Sequence, residues 1–154
     1  SLKKNNIRKL FFLYPLDKNS KNNYFKTLNS LKPNYSFRKK KINSLGRKLI
    51  FDNTVENIVL TDFNFICSYK FSPNDYISIS NTFEWFFIDN LPVLKKNMKN
   101  EARRFIILID ILYEKKNKLV IRAEKQLENI FVIEYNKDLP FPRTVSRIIE
   151  MTSR

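Results

Sequence analysis

The chain has 154 residues, a net charge of +14, no His, one Cys and one Gly, and 43% of its residues are hydrophobic. A Walker phosphate loop needs two glycines and a dinucleotide-binding turn needs three, so Gly46 can supply neither. With no His and with Cys67 alone, the composition also excludes a structural zinc site, a Ser-His-Asp or Cys-His catalytic centre and a His general base.

The first third of the chain carries signals for a strand, a helix and a hairpin. The apolar run LFFLYPL (residues 10 to 16) predicts a strand that is buried on both faces and stopped by its proline. Residues 20 to 31 predict a helix with Ser20 as its cap. Residues 37 to 42 and 47 to 51 predict the strands of a hairpin, with the glycine in a four-residue connection at the position that needs a positive φ.

The middle of the chain predicts two capped helices and a buried strand. Asp62 precedes the apolar residues of a short helix, and Ser72, followed by proline, predicts a second helix that runs to about Ser80. The run FEWFFI (83 to 88) predicts a buried strand that ends at Asp89. A carboxylate in that position is often functional in α/β proteins, although such an Asp more commonly caps the following turn.

The last part of the chain predicts a βαβ unit and a terminal helix. Residues 98 to 115 predict the longest helix, because apolar side chains recur on one face at about 100° per residue. Ile107 and Ile111 lie nearly opposite that face, so a second apolar contact is expected. The remaining predicted elements are a strand over 118 to 123, a short helix over 126 to 131 and a helix over 143 to 151.

The basic residues are concentrated near the start. Residues 1 to 48 hold 14 Lys or Arg residues and one acidic residue, whereas the rest of the chain has a net charge of +1. One interpretation is contact with an anionic partner, nucleic acid or a membrane surface, with Tyr24, Tyr35 and Phe37 adding stacking. The competing interpretation is a solvated face with the aromatic residues in the core, since AT-rich codons favour Lys and Asn. The candidate anion contacts are Arg38, Lys39, Lys40, Lys41, Arg47 and Lys48.

Several collinear motifs resemble the ZapE-type cell-division ATPases and the lactation-elevated-protein (AFG-like) P-loop ATPases. The motifs are NEARRFIILIDILY (100 to 113), KLVIRAEKQLENIF (118 to 131), RTVSRIIEM (143 to 151), YPL (14 to 16), GRKLIF (46 to 51), NDYISIS (74 to 80) and FFIDNLPVL (86 to 94). The chain departs from the family pattern at Arg122, Lys125 and Gln126, where small residues and proline are usual, and its EMTSR ending precedes the customary tail.

The resemblance implies the C-terminal portion of an AAA+-related ATPase that uses ATP and Mg in the complete protein. The phosphate loop and the acidic magnesium-binding strand of that family lie upstream of the matched region, so this fragment alone is expected to bind neither ligand and to be inactive. The implied partners are the N-terminal ATPase half, further copies in a homo-oligomer and a cell-division or membrane-associated protein. No catalytic or metal-ligating residue is predicted within the chain.

Four arginines are candidates for contact with nucleotide or with a neighbouring subunit, because ATPases of this class stabilise phosphoryl charge with an arginine. Arg147 is ranked first and Arg104 second, followed by Arg103 and Arg143. The structural alternative is that they form ordinary ion pairs: Arg103 with Asp110, Arg147 with Glu150, and Arg143 with an acid on a neighbouring element.

The expected fold is α/β: a small mixed sheet with a βαβ unit and a basic N-terminal α+β segment. The predicted segments are residues 1 to 52 (basic strand-helix-hairpin) and 53 to 154 (the α/β C-terminal region), in one continuous compact unit. The single Cys and the absence of a long apolar run predict a cytoplasmic protein. The two functional hypotheses are therefore the C-terminal portion of an ATPase and a non-enzymatic basic module that binds an anionic partner through residues 1 to 48.

Overall fold

The structure, a computed structural model, describes residues 11–134 and 139–153 and contains one mixed sheet. Its strands are β1 (Phe12–Leu13), β2 (Arg38–Ser44), β3 (Arg47–Val55), β4 (Ile58–Asp62), β5 (Trp85–Leu91) and β6 (Lys118–Ala123). Their spatial order is β1-β6-β5-β4-β3-β2, in which β1, β6, β5 and β4 are parallel and β3 and β2 are antiparallel additions. The predicted α/β class with a small mixed sheet is confirmed.

Five α-helices accompany the sheet in the described ranges. They are α1 (Lys18–Leu31), α2 (Phe63–Ile66), α3 (Pro73–Thr82), α4 (Lys99–Glu114) and α5 (Phe141–Thr152), with single 3-10 turns at Lys96–Met98 and Leu127–Asn129. Across residues 11–134 and 139–153, every helix is too short or too polar to span a bilayer. The helix predicted over 126 to 131 is wrong, because only one 3-10 turn forms there.

The start of α1 differs from the prediction that Ser20 caps it. Asp17 is the N-cap: its carboxylate accepts a hydrogen bond from Ser20 N at 2.9 Å, and Asp17 N donates back to Ser20 Oγ at 3.3 Å. Ser20 is therefore the third helical residue of a capping box, a position where a side chain satisfies the N-cap backbone. The predicted ends of α3 and α4 agree with the structure to within about a turn.

The hairpin that carries the basic run is confirmed, but its connection has two residues rather than four. Ser44 pairs with Arg47, which leaves Leu45 and Gly46 in the turn with φ of 48° and 81°. Two consecutive positive φ angles define the turn type that matches the twist of a two-residue hairpin, and Gly46 adopts its angle without a steric penalty.

Helices cover both faces of the sheet. Helix α1 packs on one face through Tyr24 and Leu28, which cluster with Leu13, Phe87 and Val120. Helices α2 to α5 pack on the opposite face, against the alternate strand residues Val59, Phe86, Ile88, Leu119 and Ile121. The sheet is thus buried from both sides, as parallel strands require.

The predicted βαβ unit is formed by β5, α4 and β6. Strands β5 and β6 are parallel neighbours, and β6 has the predicted bounds of 118 to 123. Helix α4 packs against α3 and α5, and its half-buried Ile107 and Ile111 also contact the core. The second apolar contact predicted for this helix is therefore made within the chain. Of the strand predicted over 10 to 16, Phe12–Leu13 form a strand and Leu10 lies outside the described residues.

Candidate functional site

Two of the four candidate arginines meet at a single acid between α4 and α5. Arg143 Nη2 donates to Asp110 Oδ2 at 2.9 Å, and Arg147 Nη1 donates to Asp110 Oδ1. Arg147 also lies 3.7 Å from Glu114 and has its guanidinium 4.7 Å from the centroid of the Tyr113 ring. Arg143 therefore forms an ion pair with an acid on a neighbouring helix, which is the structural alternative predicted for it.

The other two arginines lie apart from that cluster. Arg104, on α4, donates from Nη1 to the carbonyl oxygen of Cys67 at 3.0 Å and so ties α4 to the end of α2. Arg103 donates to the side-chain oxygen of Asn100 at 3.3 Å, one turn earlier on the same helix. The predicted pairing of Arg103 with Asp110 is wrong, because Asp110 is taken by the two arginines of α5.

One of the six hairpin cations is part of a buried network. Arg47 Nη1 donates to Asp75 Oδ2 at 2.6 Å, and Asp75 also accepts from Ser44 Oγ at 2.6 Å and from Ser72 N at 2.9 Å. Burial by itself would raise the pKa of Asp75, but the hydrogen bonds from these three residues outweigh it and lower that pKa below its ordinary value. This network joins the hairpin turn to the start of α3.

The remaining hairpin cations divide into two groups. Lys40 places its ammonium 5.3 Å from the centroid of the Phe83 ring, and Lys39 lies 3.8 Å from Asp52 in an exposed ion pair. The exposed cations for which the described part of the chain supplies no ion-pair partner are Arg38, Lys41 and Lys48. Of the aromatic residues proposed for stacking, Tyr24 is fully buried and so cannot stack on a base, whereas Phe37 is exposed and contacts Tyr35.

Charged residues replace the apolar ones where β4, β5 and β6 end. Asp62 ends β4 and is in register with Asp89, which lies two residues before the end of β5 and does not end that strand as predicted. Each lies two residues after an apolar residue that faces α1, Leu60 in β4 and Phe87 in β5, so both carboxylates are on the α1 side of the sheet. Arg122 of β6 donates from Nε to Asp89 Oδ1 at 2.8 Å and from Nη2 to Asp89 Oδ2 at 3.3 Å. Its side chain is 9% exposed and that of Asp89 is 21% exposed, so the pair is largely desolvated.

Arg122 also occupies the crevice between β1 and β6. Its Nη1 lies 3.3 Å from the carbonyl oxygen of Asp17 and 3.3 Å from Ser20 Oγ, both at the start of α1. The chain leaves β1 toward the α1 face and leaves β6 toward the α5 face, and α/β sheets place their ligands in the crevice at such a divergence. Here a guanidinium from the chain itself fills that position.

The sequence identified these edge residues incompletely. Asp89 is noted as a carboxylate that ends a strand, and Arg122 as a departure from a family pattern, but their pairing is not predicted. Asp62 is predicted only as a cap, which it is: its Oδ1 accepts from Phe65 N at 2.9 Å. The sequence did carry a usable signal, which is a charged residue after each of three apolar runs. Because parallel strands bring their carboxyl ends to one edge of the sheet, these charged residues could have been predicted to meet.

A mixed, mainly parallel sheet with helices on both faces defines an α/β domain. A sequence model of the AFG1-like ATPase family matches residues 3–154, and the chain belongs to this family. The resemblance described above is thereby confirmed.

The chain is similar to curated relatives from bacteria and animals. Cell division protein ZapE of Escherichia coli strain K12 is 40% identical over 100 residues, which are 64% of this chain and 26% of that protein. Lactation elevated protein 1 homolog B of Danio rerio is 31% identical over 116 residues, which are 75% of this chain and 23% of that protein. The chain thus spans about a quarter of the length of these relatives. No solved structure matches it.

The family implies ATP and Mg, but the residues of this chain do not fit them at its carboxyl edge. Phosphate binding at a helix start needs free backbone N–H groups and close approach, whereas at the start of α1 the N–H of Ser20 is bonded to Asp17 and the guanidinium of Arg122 lies beside the Ser20 hydroxyl. The single glycine lies in the hairpin turn, away from that helix. Across the described residues, no three acidic or Cys side chains gather into a group able to hold a metal ion.

Proposed function

We propose that this chain is the C-terminal portion of a ZapE/AFG1-like, AAA+-related P-loop ATPase and that ATP and Mg bind to other segments of the complete protein. The observation that carries the proposal is Arg122, which fills the crevice between β1 and β6 where an α/β sheet would take its phosphate. In such an enzyme the module described here supports hydrolysis through contacts rather than through a phosphate site of its own.

The contact surface in this proposal is formed by α4 and α5. Arg103, Arg104, Arg143 and Arg147 lie on these two helices, and at least one of them would contact the N-terminal ATPase half or a second copy. Arg147 is the first choice for reaching the γ-phosphate of a neighbour. In the isolated chain it is held by Asp110, so it would have to exchange that carboxylate for phosphate.

The first experiment compares the 154-residue chain with the complete protein. We expect the chain alone to show no ATP hydrolysis and no change in melting temperature with Mg-ATP, and the complete protein to show both. A melting shift of the chain alone that depends on both Mg and ATP would overturn the proposal, because it would place a nucleotide site within these residues.

A second experiment separates a sensor role of Arg147 from a structural one. In the complete protein, Arg147→Ala removes the guanidinium, whereas Asp110→Asn frees it without removing it. A sensor requires that R147A lowers kcat by about 10³-fold, the lower range for an arginine finger, and that D110N retains most activity. If the melting temperature falls by the same amount in both variants and kcat is unchanged, Arg147 serves only to join α5 to α4.

The biological role is proposed from likeness. Since one relative is named a cell division protein, we propose that the complete protein acts in bacterial-type cell division or in membrane-linked protein quality control, in the cytoplasm. Depletion of the gene should then lengthen cells or raise the amount of aggregated membrane protein. Normal division together with normal protein turnover after depletion would exclude this role.

A second candidate function is binding of nucleic acid, or else of an anionic membrane surface, by the hairpin. It is favoured by Arg38, Lys41 and Lys48, which are exposed on β2 and β3 without an ion-pair partner among the described residues. Labelled DNA and RNA are titrated at two salt concentrations, because counterion release makes such binding steeply salt-dependent. The triple variant with Gln at these positions should bind more weakly than a matched triple at Lys95, Lys96 and Lys99. No binding of DNA or RNA at low salt removes nucleic acid as the partner.

A further inference from the structure

An acidic cleft opens at the carboxyl edge of β4 and β5, on the α1 side of the sheet. Its volume is about 380 Å³, within the range of about 300 to 1,000 Å³ typical of ligand pockets. Its acidic walls are Asp52, Asp62 and Asp89, and its aromatic walls include Phe25, Phe37 and Phe65. The part of the chain that the structure describes places no Lys or Arg on the cleft lining, although the whole chain has 29 of them.

Cations outside the cleft lining neutralise only part of the negative charge of the cleft. Asp89 is paired with Arg122, which does not line the cleft, and Asp52 has the exposed Lys39 at 3.8 Å. Asp62 uses Oδ1 to cap α2, and its second oxygen has no partner within residues 11–134 and 139–153. The charge free for a ligand therefore resides mainly on Asp62.

A buried hydroxyl at the cleft floor points independently to a ligand. Tyr24 is 1% exposed, and its Oη has no hydrogen-bond partner among the described residues. Its ring packs edge-on against Phe87, and both Tyr24 and Asp89 line the cleft. Burial first, and then the charge of Asp89, raise the pKa of Tyr24 well above its ordinary value, so the hydroxyl is neutral. Such a group costs free energy unless a partner satisfies it.

We propose that the acidic cleft binds an arginine side chain presented by a protein partner. The guanidinium donates to the free oxygen of Asp62 and to Tyr24 Oη, and its flat faces lie against the aromatic walls, two of which, Phe37 and Phe65, are exposed. A planar, delocalised cation suits this combination of carboxylate and aromatic surface better than an ammonium does. This site is separate from the α4–α5 arginines and does not depend on the ATPase proposal.

The probe is the peptide Gly-Ser-Arg-Ser-Gly. Its binding to the whole chain is measured by heteronuclear NMR titration. Its citrulline analogue keeps the shape without the charge, and its Lys analogue keeps the charge without the planar group. We expect saturable shifts at the amides of residues 61 to 65 and 89 to 90 for the Arg peptide. The citrulline peptide should bind at least about tenfold more weakly, since a charge-assisted hydrogen bond is lost.

Matched variants decide whether the cleft is responsible. Asp62→Asn keeps an efficient helix cap but removes the charge, and should weaken binding about tenfold. Tyr24→Phe should weaken it by about threefold or more, through loss of one neutral hydrogen bond. Glu84→Gln, an exposed carboxylate at the opposite edge of the sheet, should leave affinity unchanged. Absence of saturable shifts, equal binding of the citrulline or Lys peptide, or equal losses in D62N and E84Q would overturn the proposal.

Discussion

Replacement of Arg122 tests the largely buried pair that closes the sheet edge. Arg122→Met keeps much of the side-chain volume but leaves Asp89 as an unpaired charge that is only 21% exposed. Breaking a buried ion pair costs about 3–5 kcal/mol, and the partial exposure of Asp89 places this variant near the lower end. Two polar groups at the start of α1 also lose their guanidinium contact. We therefore expect a loss of about 3 kcal/mol in the free energy of unfolding.

The assay is urea unfolding at neutral pH, followed by circular dichroism. Asp89→Asn should cost a similar amount, and the double variant should lose about 2 kcal/mol less than the sum of the two, because neither charge is then stranded. Lys118→Met, which removes an exposed ion pair with Glu84, is the control and should change stability by less than about 1 kcal/mol. A loss below about 1 kcal/mol in R122M, or additive losses, would refute a tightly coupled buried pair.

Further predictions concern stability. Asp75→Asn should cost about 2 kcal/mol at neutral pH, since hydrogen bonds to a charge are lost. The folded-state pKa of Asp75 is lowered, so its contribution to the free energy of unfolding is present above the unfolded pKa of about 3.9. That contribution is lost as the pH falls through the folded pKa. The stability difference between D75N and wild type should therefore disappear during acid titration. Tyr24→Phe should raise stability by about 1 kcal/mol in thermal unfolding, since it removes a buried, unpaired hydroxyl. Asp110→Asn should lower the free energy of unfolding by about 1 kcal/mol. An unchanged stability would mean that Arg143 and Arg147 pair only weakly with Asp110.

The sequence predicted well those elements whose signals are local. The bounds of β6 agree residue for residue, and α4 differs from its prediction by one residue at each end. Helix α3 begins at the predicted cap, Ser72, because a cap followed by proline is a strong start signal. In each case the signal lies within one or two turns of the residue that it specifies.

The failures have two physical causes. Strand β4 was not predicted, because its apolar core is only three residues long and is recognisable mainly through pairing with β5. The ion pairs were missed because their members are distant in sequence: Arg122 and Asp89 are 33 residues apart, and Arg47 and Asp75 are 28 apart. Which cation meets which acid depends on strand order, and periodicity alone carries no information about that order.

The pairing of acids with arginines explains how a chain of such basic composition is held together. Asp75, Asp89 and Asp110 each bind an arginine from another element at 2.9 Å or less. The lysine pairs, by contrast, span 3.3–3.8 Å and involve exposed carboxylates.

Compositional bias toward AT-rich codons accounts for solvated lysines, but it does not account for arginines that connect helices and strands. An arginine therefore carries more structural information in this chain than a lysine does. Asp62 ends a strand in the same row as Asp89, yet no cation pairs with it among the described residues. By the pattern of the other three acids, we expect the arginine that completes Asp62 to come from a protein partner.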